Sequence, residues 1–516
     1  MEYKYYLSRL NGRERELYAP ILRHLTEGTE AFEADADAET IHRVIRAVML
    51  DNPELFWFTG KWKAQKTPTA TRVLPQYTCG RAERNEVSHR IEQRIRTMPL
   101  PQETNAVARI KAVYDWLLDN VRYGASPHDQ TVEGVFADGV AVCKGIARAF
   151  QLCMNRLEIP SLLLEGTIDG QASHIWNVVF ADGLFYHVDV TMGYSCFASL
   201  FPDPARRRRY PCFMVSDSLL SHTHTAYCRS TIRCTQDLDL EDFLTAYLEI
   251  PPRFTALGEL KYLDTGSTCT VFSIRGDRGS FALKVITEES EATLAHKHAE
   301  ELQILKRLSD ADGVVRLIAY EINRPRATLY LLMPQYRTLA AYRRERTALT
   351  PDEVIRIGIQ ILKAMLQCRS RGIYHLDIQP KNIYVDGDGN ALLGDFGGSA
   401  FETELDSLGH MRGTLAFMAP EVYESGAYSQ ASEIYSLGIV LYALLNDAKL
   451  PFFDPHDPQA SARQRLTGAP LPPGKIPPAL LPTIQRMCAP RLEERYQRFE
   501  EALEALEKRM RNGGYD

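Results

Sequence analysis

The sequence has no long apolar run. Its densest, Ser436 to Leu445 (SLGIVLYALL), stops far short of the ~20 residues that cross a bilayer. No membrane span is therefore expected. The charged opening stretch, MEYKYYLSRLNGRERELYAP, is unlike a secretion signal, and neither end resembles a lipidation signal. Neither sign of charge is in large excess. There are 60 basic and 66 acidic residues, net −6, which argues against a nucleic-acid partner bound by bulk positive charge. Paired-cysteine motifs are missing too. The ten cysteines, at 79, 143, 153, 196, 212, 228, 234, 269, 368 and 488, include no C-x-x-C, so neither a disulfide framework nor a zinc ribbon is expected. No internal repeat or low-complexity tract stands out. What is present, 45% apolar, 24% charged and 9% aromatic residues, is ordinary globular composition. We read a soluble, reduced, cytoplasmic chain, and its 516 residues fit about three domains, or two large ones.

Patterns along the chain suggest where these lie. Up to residue 103 the sequence is helical and mixed, with an apolar stretch at Glu54 to Thr59. Ala106, Ile110, Val113, Trp116 and Leu117 then recur at helical spacing. A helix is expected from Cys143 to Leu157, and strands to about Val190. Pro251-Pro252 is a break signal. Beyond it come a strand-rich stretch (255–336) and a helical one (351–510). The expected division is a pre-segment (1–103), a first module (104–240), a linker (241–254) and a second module (255–510).

Cys143 opens the segment CKGIARAFQLCMNRL, in which Ile146, Phe150, Cys153 and Leu157 form an apolar helical face. A cysteine at a helix N-terminus meets partial positive charge, which stabilises a thiolate, the form that attacks carbonyls. Downstream, two β-rich runs flank Asp182-Gly183, a type I′ hairpin signal. A two-residue turn there places Trp176 opposite Asp189 and His174 opposite Thr191, so His174 and Asp189 become diagonal neighbours on one face. His187 shares that face.

Gly139 to Gly145 (GVAVCKG), His174 to Asn177 (HIWN) and Tyr186 to Thr191 (YHVDVT) together resemble the transglutaminase-like family. The resemblance implies a papain-like α+β fold with Cys143 as nucleophile, His174 as general base and acid, and Asp189 orienting the imidazole. It implies acyl transfer through a thioester and does not say whether water or an amine completes it. The basic run Arg206 to Arg209 reads as a solvated loop, and His222 with His224 is a weak metal-ligand pair.

The second module carries denser motifs. Tyr374 to Asn382 (YHLDIQPKN) precedes a strand, a turn, a second strand and Asp395-Phe396-Gly397. Two acids and an amide on tight loops suit divalent-metal and phosphate chemistry. The set resembles the eukaryotic-like serine/threonine protein kinase domain. That resemblance implies ATP and Mg²⁺. Lys284 would grip the α- and β-phosphates and pair with Glu301, and Asp377 would accept the hydrogen bond of the substrate hydroxyl. Asn382 and Asp395 would hold magnesium. Gly266, Val271 and Ala282 would enclose the nucleotide, and the hinge Met333 to Tyr336, including Gln335, would bind adenine. Ala419-Pro420-Glu421 closes the activation segment, with Glu421 paired to Arg495.

The departures from that family are specific. Only Gly266 of the three loop glycines is kept, and Cys269 near the phosphates reads either as a redox or covalent-inhibitor handle or as a tolerated small residue. Leu376 replaces the arginine before the catalytic aspartate, which implies activity without activation-loop phosphorylation. Gln379 replaces a lysine, with Lys381 nearby as a stand-in. Glu433 replaces an aspartate that braces the catalytic loop, which suggests a looser brace.

The sequence therefore reads as an α+β chain of two modules, a papain-like transglutaminase core followed by a bilobal kinase. The expected function is Ser/Thr phosphotransfer joined to thiol acyl transfer on a protein or peptide partner. Two alternatives stay open: a cysteine protease or amide-transfer enzyme governed by a pseudokinase, and an active kinase with an inactive substrate-binding first module. Oligomeric state is not legible.

Overall fold

A computed structural model describes residues 4–512 other than 69, 102–104, 195–196, 198–208, 228–230, 266–268, 278, 289, 347, 409–411 and 455–459. The chain divides into two compact units. One holds Met1–Glu249 with Leu263–Ser267, the other Ile250–Tyr262 with Thr268–Asp516.

After a short helix Tyr5–Arg9, the first unit has helices Gly12–Glu27 and Ala38–Asp51, and a three-stranded sheet in the order Phe32–Ala34, Thr71–Tyr77, Phe58–Lys66. Asn11 and Glu14 form a capping box at the start of the first of these helices, satisfying amides that would otherwise lack partners. The apolar stretch near residue 55 is core, with Leu55, Phe56, Trp57 and Phe58 all buried.

A five-stranded antiparallel sheet follows, ordered His224–Ala226, Ser161–Ile168, Ala172–Ala181, Leu184–Val188, Phe213–Val215. The central strands are apolar on both faces because both are covered. On one face Leu163 and Ile175 pack against Ala147 of helix Cys143–Arg156 and against Leu50. On the other, Leu162, Leu164, Trp176 and Val178 join Met192, Val215 and Leu220. Asp182 and Gly183 have φ of 50° and 82°, the left-handed pair that a type I′ turn demands. The register runs from Ala181↔Leu184 to Asn177↔Val188. Asp189 lies one residue beyond the strand end. Gly145 seats the helix, since a Cβ there would meet the Asp129 carbonyl at 2.3 Å.

The second unit has a five-stranded antiparallel sheet, Glu259–Thr265, Cys269–Gly276, Gly279–Thr287, Thr328–Pro334, Ala319–Asn323, with helix Glu291–Arg307 in the same unit. A helical part is built on Pro351–Ser370, Gln430–Leu445 and Phe499–Asn512. The first of these opens on a Thr350/Glu353 capping box with proline in its first turn, where proline costs no hydrogen bond. The apolar run 436–445 lies within Gln430–Leu445, buried nearly all round. Among the described residues no helix is long and apolar enough to cross a membrane.

The stretch read as a linker differs from that reading. It contains the C-terminal part of helix Leu240–Tyr247, capped by Asp239, and most of helix Pro252–Thr255. The double proline starts an element rather than breaking one, because Pro252 falls in the first turn.

Candidate active sites

In the first unit, helix Cys143–Arg156 and the hairpin bring three side chains together. His174 Nε2 lies 2.6 Å from Asp189 Oδ2, a direct hydrogen bond between side chains read from sequence as diagonal neighbours. Cys143 is near enough to His174 to add to the rise of its pKa. With Nε2 engaged by Asp189, Nδ1 is the nitrogen left for the thiol. Val142 caps the helix without a side-chain hydrogen bond, so the dipole at Cys143 is not offset by a capping acceptor. Burial lowers the His174 pKa, but the Asp189 charge and hydrogen bond, with a further contribution from Cys143, outweigh it and lift it to about 10. Burial likewise opposes ionisation of Asp189, yet His174, and then His224, hold it well below the usual carboxylate range. This environment favours the protonated form of the ring at 174. Asp189 Oδ1 accepts from the Thr191 amide at 2.9 Å.

His224 is a member of this cluster that sequence reasoning assigned elsewhere. Its Nε2 lies 3.0 Å from Asp189 Oδ2 and its Nδ1 2.7 Å from the Thr223 hydroxyl. His222 does not join it; its ring contacts the Leu219 carbonyl on the surface, so the two histidines form no metal pair. His187, read as a second candidate for the triad, turns away. Trp176 Nε1 donates to its Nδ1 at 3.2 Å, and its Nε2 meets Asp217 at 2.9 Å. Cys234 completes a possible ligand group with these two. However, a ring that accepts at Nδ1 carries its proton on Nε2 and has no lone pair there for a metal. The basic run lies outside the described residues at 206–208. Arg209 is not solvated but paired with Asp115 and Asp119, each at 2.8 Å.

In the second unit, register builds the cleft. Val271 pairs with Lys284, and Ala282 with both Ser273 and Met333. Directly opposed residues share a face and so do alternate ones, so Val271, Ala282, Lys284 and Met333 line one side. Gln335 donates its amide to the Ser280 carbonyl at 3.0 Å and accepts from Ser273 Oγ at 2.7 Å. Tyr336 follows it after the strand end. Gly266 lies outside the described residues.

Lys284 Nζ bonds Glu301 Oε1 at 2.8 Å and Asp395 Oδ1 at 3.1 Å. Burial raises the Glu301 pKa, but Lys284 and His298 lower it more, to about 2. His298 was not legible as a site residue. It holds Glu301 Oε2 at 3.3 Å and Glu288 Oε1 at 2.9 Å.

On the catalytic loop, Asn382 Nδ2 donates to Asp377 O at 2.9 Å and Oδ2 at 2.8 Å. Gln379 Nε2 bridges Asp377 Oδ2 and Thr414 Oγ1, both at 2.7 Å. Lys381 is exposed. Glu433 Oε1 accepts from the amides of His375 at 2.7 Å and Leu376 at 2.9 Å, so the brace read as loose is tight. Arg495 forks Glu421 at 2.7 and 2.8 Å. Leu376 and Asp395 have φ of 65° and 59°, strained values that a tightly held loop sustains.

Asp377 Oδ1 is buried and has no hydrogen-bond partner among the described residues. Asp395 is half-exposed, with one oxygen on Lys284. Among the described residues, the Asn382 side chain engages through its amide nitrogen alone. These three residues thus offer unengaged oxygens, the donor type magnesium requires, and the site fits that ion.

Residues 258–505 match the protein kinase domain family, and residues 94–190 match the transglutaminase-like superfamily. CBL-interacting protein kinase 4 of Oryza sativa subsp. japonica is 32% identical over 209 residues, covering 38% of this chain and 45% of that protein. CBL-interacting serine/threonine-protein kinase 12 of Arabidopsis thaliana is 32% identical over 203 residues, 38% of this chain and 41% of that protein. The chain spans less than half the length of these curated relatives. It joins a transglutaminase-like domain in its N-terminal half to a protein kinase domain in its C-terminal half.

Proposed function

We propose that the kinase domain transfers the γ-phosphoryl group of ATP to serine or threonine of a protein, and that the transglutaminase-like domain carries out thiol acyl transfer on a protein or peptide. The observation that carries the first reading is the orphaned Asp377 Oδ1 beside the aligned Lys284, Glu301 and Asp395. A buried carboxylate oxygen without a partner is costly, and a substrate hydroxyl would supply the missing donor. Asp377 then accepts that proton as the hydroxyl attacks. Lys284, held by Glu301, positions phosphate oxygens. Asn382 and Asp395 would hold magnesium, which offsets phosphate charge when bound. Gln379 keeps Asp377 and Thr414 in register, and Thr414 lies just ahead of Ala419-Pro420-Glu421, as in serine/threonine kinases.

In the other domain, Cys143 would attack the acyl carbon as a thiolate. The imidazolium of His174 would protonate the leaving group, and Asp189 would hold the ring in place. Water or an amine then releases the acyl group from the thioester, and the neutral ring accepts the proton of that nucleophile.

Purified chain incubated with Mg²⁺ and γ-labelled ATP, beside Asp377→Asn, tests the first reading by phosphosite mass spectrometry. Label on serine or threonine in the wild type alone is expected. Label confined to tyrosine, or equal label in the variant, defeats it. For the second, a thiol-directed acyl probe should label Cys143, Cys143→Ala should remove that label and Cys269→Ala should not.

A further inference from the structure

Arg148 is an anomaly on the helix that carries Cys143. It is only 6% exposed, and its Nε is buried without a hydrogen-bond partner. Among the described residues it makes no hydrogen bond, ion pair or aromatic stack. Burial pushes it down to about 10, opposed by the charge of Glu165. Buried guanidinium groups are otherwise paired, because an uncompensated buried charge is strongly destabilising.

Its surroundings add positive charge. Lys144 stands one turn away on the same helix face, where side chains four apart have Cβ atoms roughly 5–6 Å from each other. Lys144 is more than half buried. Burial, then the charge of Arg148, lowers its pKa, while Glu165 and Cys143 raise it. So Lys144 feels both the unpartnered arginine and the nucleophile. Glu165 is the one carboxylate acting on both cations, and it is already ion-paired with Arg46. Three cations thus share one carboxylate, and one of them, Lys144, directly follows Cys143 in the helix.

We propose that Lys144 and Arg148 form an oxyanion-binding subsite beside Cys143, which takes an acidic group of the acyl-donor substrate. The inference rests on the acyl-transfer reading of Cys143 and adds a substrate class to it. A guanidinium fork and an ammonium together suit a carboxylate or a phosphoryl group. An acidic group placed there anchors the donor next to the thiol, which selects anionic peptides over neutral ones.

The test uses the full chain in chloride buffer, with succinate, phosphate or neutral succinamide added. Two readouts are taken: thermal melting, and the rate of Cys143 alkylation by iodoacetamide followed by peptide mass spectrometry, with Cys79 as reference. An anion bound only by the native state raises the melting temperature and, at roughly ten times its dissociation constant, slows Cys143 labelling about tenfold. Cys79 should not respond, nor should succinamide act. A response to succinate supports a carboxylate source, and one to phosphate alone supports a phosphoryl source. Arg148→Met replaces an unpaired buried charge by an apolar chain, so it should melt at or above the wild type without anion and lose both responses. Lys144→Met, on a less buried residue, should weaken them. No response in the wild type, or one retained in Arg148→Met and Lys144→Met, overturns the proposal. Failure of Cys143 to label in any buffer would instead remove the acyl-transfer reading, while the melting data still decide on the anion site.

Discussion

His224 Nε2 lies 3.0 Å from Asp189 Oδ2, the same oxygen that takes His174 Nε2 at 2.6 Å. One carboxylate oxygen thus serves two buried imidazoles, and the pair competes for a single negative charge. Thr223 on the far nitrogen of His224 suits the tautomer that donates to Asp189. On the acyl-transfer reading, His224 is therefore a positioning residue. It aims the carboxylate and moderates how strongly Asp189 stabilises the imidazolium. In His224→Ala the full charge of Asp189 falls to His174, whose titration should rise by roughly half a pH unit to one unit. His224→Gln, which keeps a donor, should stay near wild type. Histidine-labelled ¹⁵N NMR titration reads this directly, and unchanged His174 titration in the alanine variant would refute it.

The same cluster sets a pH dependence of stability. His174 is held at about 10 against an ordinary 6.5, so the folded chain keeps a proton that the unfolded chain releases. The stability this contributes is complete below pH 6.5 and drains as pH rises toward 10. Asp189 is held below its ordinary 3.8, so its share is complete above that value and lost as pH falls beneath it. Calorimetry should show the affected transition highest between these limits. Asp189→Asn should flatten both limbs; a wild-type transition that strengthens from pH 7 to 9 would contradict the pair.

Local signals made much of this legible. The Asp182-Gly183 turn carries its conformation in its residue types, and both φ values are positive. From that turn the placing of His174 near Asp189 follows by strand alternation. Helix Cys143–Arg156 is likewise plain in its apolar spacing. His224 escaped because its contact depends on the strand His224–Ala226 pairing with Ser161–Ile168, a long-range choice with no local mark. His298 escaped for a similar reason, since only the packing of helix Glu291–Arg307 turns it to Glu301 and Glu288. The short helix Pro252–Thr255 was missed because proline marks both breaks and first turns.

Glu433 offers a sharper test of the kinase domain. Burial raises its pKa to about 7, against the lowering effect of the Leu376 and His375 amides. Removing the acceptor in Glu433→Ala leaves two buried amides unpaired, a cost of about 2–6 kcal/mol at roughly 1–3 kcal/mol each. Glu433→Gln keeps an acceptor and should cost far less. Because the folded pKa is raised, the carboxyl's contribution declines as pH climbs from 4.5 to about 7, a slope the glutamine variant lacks. Urea denaturation at pH 5 and pH 8 should show the gap between wild type and Glu433→Gln shifting toward the variant at the higher pH.

Activation-segment control follows from Leu376 and Arg412. Leu376 has no charge with which to grip a phosphorylated residue. Arg412 instead reaches the Ser399 carbonyl at 2.5 Å and Glu300 of helix Glu291–Arg307 at 3.4 Å. Its own backbone is fastened by the Tyr428 hydroxyl, which lies 2.6 Å from the amide and 2.7 Å from the carbonyl. The segment is thus tied through Arg412 to the helix that carries Glu301. Glu301 in turn fixes Lys284, so the tie reaches Lys284 through two ion pairs. On the phosphotransfer reading, phosphatase-treated protein should keep its full rate. Arg412→Ala should lower that rate by about tenfold or more, equivalent to at least about 1.4 kcal/mol of barrier. Steady-state assays before and after phosphatase treatment decide the matter. A rate abolished by phosphatase and restored by autophosphorylation would show that a phosphate, not Arg412, orders the segment.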